Sequence, residues 1–296
     1  MINLKIVIGI PAYNEEENIA KIIVKIKQIS SEIIVCNDGS TDLTSEIAGK
    51  LGVIVINHTE NQGYGAAIKS IFLKAKEIEA DILVTFDADG QHRIEDISKV
   101  LSPIKEGNAD IVIGSRFLSE ESNDIPDYRK LGIKIITKIT NTSIKEKITD
   151  SQSGFRGYNR KTLENIKLTE SGMGISTEIL IKAKKSNFKI IEVPIIVSYE
   201  GETSTHNSII HGSSVIISTL KYVAMERPLT FYGIPGLVFL IIGVSFGLWA
   251  IQIFTNEGVL ITNIALIGMG GVILGTVMMI TATILYSIIS IARERK

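Results

Sequence analysis

The chain is predicted to be an α/β protein, with a mostly parallel sheet covered by helices on both faces and a two-helix transmembrane hairpin at its C-terminal end. Three observations predict this. Short apolar runs alternate with helical patterns, each run ends in a polar cluster, and the last part of the chain holds two long stretches without a charge.

Residues 4–10 read as the first strand, which runs into Pro11-Ala12-Tyr13-Asn14-Glu15-Glu16-Glu17, and residues 17–29 carry a helical pattern. Residues 32–36 form the second apolar run and end in Asn37-Asp38-Gly39-Ser40-Thr41-Asp42, with a helix predicted over 42–51. Asp42 opens that pattern and reads as its N-cap. The third run, 53–56, is followed by Asn57-His58 and Asn61-Gln62-Gly63-Tyr64-Gly65, then by a helix over 66–78. Strands alternating with helices imply a parallel sheet with crossover helices. In such sheets ligands bind outside the carboxyl ends of the strands, so these polar clusters share one rim. The Gly63-Tyr64-Gly65 turn resembles half of a dinucleotide fingerprint, but Ile68 stands where a third glycine belongs, which argues against a nicotinamide dehydrogenase.

A further run breaks into Val84-Thr85-Phe86-Asp87-Ala88-Asp89-Gly90-Gln91-His92. Residues i and i+2 of an extended backbone project to the same side, so Asp87 and Asp89 are expected to converge. Two carboxylates form a hard site suited to Mg²⁺ or Mn²⁺, which such sites bind together with substrate phosphates. An acidic turn with solvated or capping carboxylates is the alternative.

With 31 Lys and Arg against 32 Asp and Glu, the chain has no basic excess that would point to nucleic acid. Cys36 is its one cysteine, within an apolar strand, so no internal disulfide is possible and a reducing compartment is expected. The first strand opens at Leu4, which leaves no room for a signal peptide. Neither 228–256 nor 258–292 contains a charged residue, and a membrane span needs about 20 apolar residues. Spans are expected at about 230–254 and 260–290. Lys221 and Arg227 precede them and Arg293, Arg295 and Lys296 follow, so the positive-inside rule places both ends, with the N-terminal globular part, in the cytoplasm. The expected divisions are 1–207, a globular domain; 208–227, an interfacial or linking helix; and 228–296, the hairpin.

Pro-Ala-Tyr-Asn-Glu-Glu, Asn-Asp-Gly-Ser-Thr-Asp, Asp-Ala-Asp-Gly-Gln and Gly114-Ser115-Arg116 resemble, in order and spacing, the motifs of glycosyltransferase family 2. Asp150-Ser151-Gln152-Ser153-Gly154-Phe155-Arg156 resembles the dolichol-phosphate mannose synthase branch, and Ser204-Thr205-His206 with His211-Gly212 resembles archaeal polyprenyl-phosphate glycosyltransferases. The resemblance spans roughly residues 4–200. It implies a GT-A, Rossmann-like fold, a UDP- or GDP-linked sugar donor and a polyprenyl or dolichyl phosphate acceptor, with inverting transfer of a hexose or N-acetylhexosamine. It also implies roles for individual residues. Asp87, Asp89 and Gln91 would hold the metal. Pro11, Tyr13, Glu15, Asp38, Asp87, Ala88 and Glu178 would contact the donor. Arg116, Arg129, Gln152, Ser153, Arg156 and His206 would receive the acceptor phosphate; arginine's planar fork suits phosphate oxygens. Asp89, Arg116 and Asp150 would act in the transfer itself. A monophosphate is mostly ionised near neutrality, so Asp150 is expected to orient groups more than to abstract a proton.

The Gln-x-x-Arg-Trp motif of processive polysaccharide synthases is absent, and Trp249 lies within a span. Transfer to a lipid hydroxyl and a non-catalytic nucleotide-sugar-binding protein stay as alternatives. The sugar and the oligomeric state are left open by the sequence.

Overall fold

In the computed structural model the described residues are 4–119, 125, 127–144, 147–197, 224 and 228–294. They fall into two units, residues 1–219 and 220–296.

The first unit is built on seven strands: β1 (Ile6–Ala12), β2 (Glu32–Asn37), β3 (Ile54–Asn57), β4 (Ile82–Thr85), β5 (Ile111–Ser115), β6 (Arg156–Asn159) and β7 (Ile190–Pro194), in the spatial order β3-β2-β1-β4-β6-β5-β7. β6 runs antiparallel to both of its neighbours, and every other pairing is parallel. The three expected crossover helices are α1 (Glu16–Ile26), α2 (Thr44–Lys50) and α3 (Tyr64–Glu77). The remaining helices of this unit are α4 (Ile97–Lys105), α5 (Asp127–Ile144), α6 (Arg160–Asn165) and α7 (Ile175–Lys185).

Helices cover both faces of the sheet. Ile19, Ile22, Ile23 and Ile26 of α1 recur at helical spacing and are buried against Ile8 and Ile10 of β1. Each such isoleucine contributes roughly 2 kcal/mol by leaving water. On the opposite face Gly9 lies against Ile71 of α3, so close that a Cβ there would fall 2.3 Å from Ile71 Cγ2.

β1 runs two residues past its expected end and includes Pro11, paired with Cys36 of β2. The proline is tolerated because β4 stops opposite Gly9, so no ladder partner on that side requires a Pro11 N–H. Reversal of β6 is the feature that places the functional loops. It carries residues 150–155 back over the end of β4, where the Thr85 hydroxyl donates to the Gly154 carbonyl at 2.6 Å.

In the second unit a π-helical turn, Leu229–Gly233, leads into α8 (Ile234–Glu257). Gly258 at φ 68° ends it, and α9 (Thr262–Glu294) follows. Leu229–Glu257 and Thr262–Ile289 are each long and apolar enough to cross a membrane. Gly243 of α8 packs on Gly271 and Val272 of α9 at distances only glycine permits. Small residues allow this close backbone approach, the means by which apolar helices associate without a hydrophobic drive between them. The expected helix over 208–227 lies outside the described residues, apart from Ala224.

Candidate active site

The carboxyl ends of β1, β2 and β4 are neighbours, so the loops that follow them meet. Asn14, at φ 54°, donates its N–H to Ser40 Oγ at 3.0 Å and accepts the Thr41 N–H at 2.9 Å. Asp42 accepts the N–H groups of Thr44 (3.0 Å) and Glu16 (3.1 Å), while Glu16 accepts the Leu43 N–H at 2.9 Å. α2 begins at Thr44 with Leu43 at its N-cap position, one residue later than expected, so Asp42 stands just ahead of the cap and braces the first turns of both α2 and α1.

These loops frame a cleft of about 350 Å³. Pro11, Tyr13, Glu15, Asp38, Asp87, Ala88 and Asp89 all line it, joined by Asn61, Tyr64, Ala67 and Met173 from the other side. Asp87 and Asp89 converge, though not on extended backbone. β4 ends at Thr85, and Asp89 sits in a turn closed by its own Oδ1 accepting the Gln91 N–H at 3.0 Å. Gln91, expected beside them, is not among the lining residues.

Asp38 is buried, and its oxygens accept from the Gln62 N–H (3.0 Å), the Gly63 N–H (2.8 Å) and His58 Nδ1 (2.6 Å). The carboxylate therefore anchors the loop ahead of α3. Gly63 adopts φ 97°, a conformation that favours glycine. Burial, together with the charges of Asp89, Asp42 and Asp87, pushes Glu15 up to about 7 against an opposing hydrogen bond from Asn18. For Asp87 burial acts upward as well. Hydrogen bonds from His92 and Tyr64 and the nearby Arg116 charge outweigh it and hold the group below the usual carboxylate range.

Arg116 and Asp150 form a bidentate pair, Nε to Oδ2 at 2.6 Å and Nη2 to Oδ1 at 2.8 Å. Burial would raise the Asp150 carboxyl, but the Arg116 guanidinium holds it low. Asp150 thus holds the Arg116 fork through two hydrogen bonds. Glu192 fixes the turn beneath it by accepting the Thr149 and Asp150 N–H groups, each at 2.9 Å through Oε1.

The structure places four of the expected residues outside the lining of the cleft. Arg156, expected at a phosphate, is buried and donates to the carbonyls of Ser153 (2.8 Å), Ser176 (3.0 Å) and Ser151 (2.7 Å). It holds the 151–153 turn in place. Glu178, expected at the donor sugar, is buried and accepts the Thr169 and Glu170 N–H groups and Lys182 Nζ, and it lies outside the cleft lining. Its charge closes a loop and pairs with a lysine one turn on. Gln152 turns inward to Ser151 and Thr177, while Ser153 Oγ is buried with no hydrogen-bond partner among the described residues. The Arg129 side chain and His206 lie outside the described residues.

Three side chains at the site escaped the sequence reading. Tyr64 Oη donates to Asp87 Oδ1 at 3.1 Å, His92 Nε2 lies 3.4 Å from Asp87 Oδ2, and Glu192 supports Asp150 from β7. His92 stands in the same short stretch as the paired aspartates, after Gly90 and Gln91, which was the available signal. Tyr64 and Glu192 carry none, because their partners lie 23 and 42 residues away.

Comparison with known proteins agrees with this arrangement. Residues 7–167 match the family model described as glycosyl transferase family 2. The chain is 36% identical over 229 residues to a UDP-N-acetylglucosamine–dolichyl-phosphate N-acetylglucosaminyltransferase of Methanococcus voltae, covering 70% of this chain and 89% of that protein. It is 31% identical over 227 residues to a dolichyl-phosphate hexose transferase of Haloferax volcanii, covering 76% and 96%. The fold is shared with glucosyl-3-phosphoglycerate synthase of Mycobacterium tuberculosis, solved with Mn²⁺, uridine diphosphate and phosphoglyceric acid, at a TM-score of 0.58 and 18% identity over 75% of this chain and 79% of that one. A GT-A sheet whose strand ends carry these motifs, and a family match over more than half its length, identify the chain as a glycosyltransferase that belongs to glycosyl transferase family 2.

Proposed function

We propose that the protein transfers a hexose or N-acetylhexosamine, with inversion, from a UDP- or GDP-linked donor to a polyprenyl (dolichyl) phosphate. The observation that carries this reading is the Arg116–Asp150 pair beside a cleft lined by Glu15, Asp87 and Asp89. A hydroxyl acceptor needs a base to take its proton, and Asp150, ionised and doubly hydrogen-bonded, is a poor one. A phosphate monoester, with a second pKa of about 6, arrives largely ionised and needs none. Transfer then rests on alignment of the two reactants.

The cleft fits a divalent cation, Mg²⁺ or Mn²⁺. Asp87 and Asp89 face the same space as Glu15, whose raised pKa reflects burial among like charges that a cation would relieve. Among the described residues no group of three His, Cys, Asp or Glu is arranged to hold a metal unaided. Two carboxylates completed by donor phosphates is the ordinary arrangement for these ions. When bound, such an ion offsets charge on the departing nucleoside diphosphate. Pro11, Tyr13 and Asn61 border the same cleft and would receive the nucleoside. Arg116 would orient the acceptor phosphate while Asp150 holds its fork in place. The Methanococcus relative makes UDP-N-acetylglucosamine the first donor to offer.

The apolar hairpin would tether the transferase to the bilayer that carries its acceptor, with Arg293, Arg295 and Lys296 on the cytoplasmic side. The test uses purified protein in detergent with Mn²⁺ or Mg²⁺. Polyprenyl phosphate and diacylglycerol are offered separately, each with UDP-N-acetylglucosamine, UDP-glucose and GDP-mannose. A lipid-phosphate-linked sugar seen by mass spectrometry and lost in Asp89→Ala supports the proposal. A glycosylated diacylglycerol, with no phosphate-linked product, overturns it in favour of a hydroxyl acceptor.

A further inference from the structure

We propose that Tyr64 and His92 are positioning residues that clamp Asp87 by its two oxygens and so set which way its remaining lone pairs face the cleft. The inference rests on the cation-site reading of that cleft and assigns work to residues outside the expected metal ligands.

Asp87 follows the end of β4, so no strand ladder holds it, and a carboxylate is free to turn about its last torsion. Here both ends are engaged. Tyr64 Oη donates to Oδ1 at 3.1 Å from the first turn of α3, and His92 Nε2 approaches Oδ2 to 3.4 Å from the far side of the Asp89 turn.

The His92 ring is only 7% exposed, and its seat is built. It lies edge-on to Phe86, with centroids 5.8 Å apart, and to Phe155, at 5.3 Å, and these two phenylalanines pack on each other at 5.1 Å. Nδ1 is buried there without a hydrogen-bond partner among the described residues. A buried N–H with no acceptor is costly, whereas a bare lone pair facing aromatic edges costs less. The slot therefore favours the tautomer protonated at Nε2, the ring nitrogen that lies 3.4 Å from Asp87 Oδ2.

Gly154 closes the arrangement. A Cβ there would crowd Tyr64 Oη and lie 2.6 Å from Asp87 Oδ2, so any larger residue would have to displace the two groups of the clamp.

Supporting groups of this kind typically change metal affinity about 10- to 100-fold when removed. The test is direct Mn²⁺ binding by electron paramagnetic resonance on the full-length protein in detergent, with UDP present. It compares wild type with Asp89→Asn, Tyr64→Phe, His92→Phe and His92→Gln, with a melting curve for each. We expect Tyr64→Phe and His92→Phe to weaken Mn²⁺ about 10-fold or more with melting little changed, and His92→Gln, whose amide restores an N–H donor, to recover much of the loss. Loss of Mn²⁺ in Asp89→Asn together with wild-type affinity in both Tyr64→Phe and His92→Phe overturns the clamp alone. Wild-type affinity in Asp89→Asn overturns the cation site, and the clamp with it. Should His92→Phe fail to fold, Tyr64→Phe removes a single hydroxyl and still decides the matter.

Discussion

The Arg116 guanidinium grips the fully buried carboxylate of Asp150 through two hydrogen bonds of 2.6 and 2.8 Å, and the Arg116 backbone N–H adds a third contact to Oδ2 at 3.3 Å. Removing one member strands the other as a buried charge, which typically costs about 3–5 kcal/mol. Arg116→Ala and Asp150→Asn are each expected to lower the melting temperature strongly. The double variant should be more stable than the sum of the two by about 1–3 kcal/mol. Additive losses would show that the pair is not coupled in solution.

Glu15 gives a pH prediction whose sign follows from its environment. Its folded-state pKa of about 7 lies above the ordinary 4.5, chiefly through burial and then through Asp89, Asp42 and Asp87. A group raised on folding contributes stability below its unfolded pKa and loses it as pH rises through the folded one. Metal-free wild type should therefore lose stability between about pH 4.5 and 7 relative to Glu15→Gln. Melting curves in chelator across that range should show the variant's advantage opening and then levelling. A constant difference would refute the assignment.

Gly154→Ala places a methyl group 2.3 Å from Tyr64 Oη and 2.6 and 2.8 Å from the Asp87 oxygens. The clash falls on the site, so transfer should drop roughly 100-fold, the effect of a misplacement of about 1 Å. Single-turnover rates with saturating donor would report it, and a rate within a factor of about two of wild type would mean the loop gives way freely.

Arg156→Lys separates a structural arginine from a phosphate-binding one. Lysine keeps the charge but cannot reach the carbonyls of Ser151, Ser153 and Ser176 together, so stability should fall by about 3 kcal/mol or more. The KM for lipid phosphate in the protein that remains folded should stay near wild type. A raised KM with unchanged melting would return Arg156 to the acceptor site.

The alternating pattern of the chain already carried the mostly parallel sheet and the rim of the site. Alternating runs and helices, each run ending in polar residues, were enough to bring Glu15, Asp38, Asp87 and Asp89 to one edge, because a parallel sheet puts all its carboxyl ends on the same side. Asp42 was legible as a residue at a helix start, although Leu43 and not Asp42 takes the N-cap position of α2. The two spans were legible because a bilayer reads length and lack of charge. Which charged groups face the cleft emerged from packing alone. Arg156 and Glu178 sit in motifs that suit a ligand, yet both turn inward to backbone groups supplied by residues 151–153, 176 and 169–170. The contacts among Tyr64, Asp87, His92 and Gly154 depend on β6 reversing between β4 and β5 and carrying a distant segment over the strand end. Local patterning sets the period of an element and where it stops. The partner of a buried polar side chain is set by whichever segment packs over it, and that choice is made by the whole sheet at once.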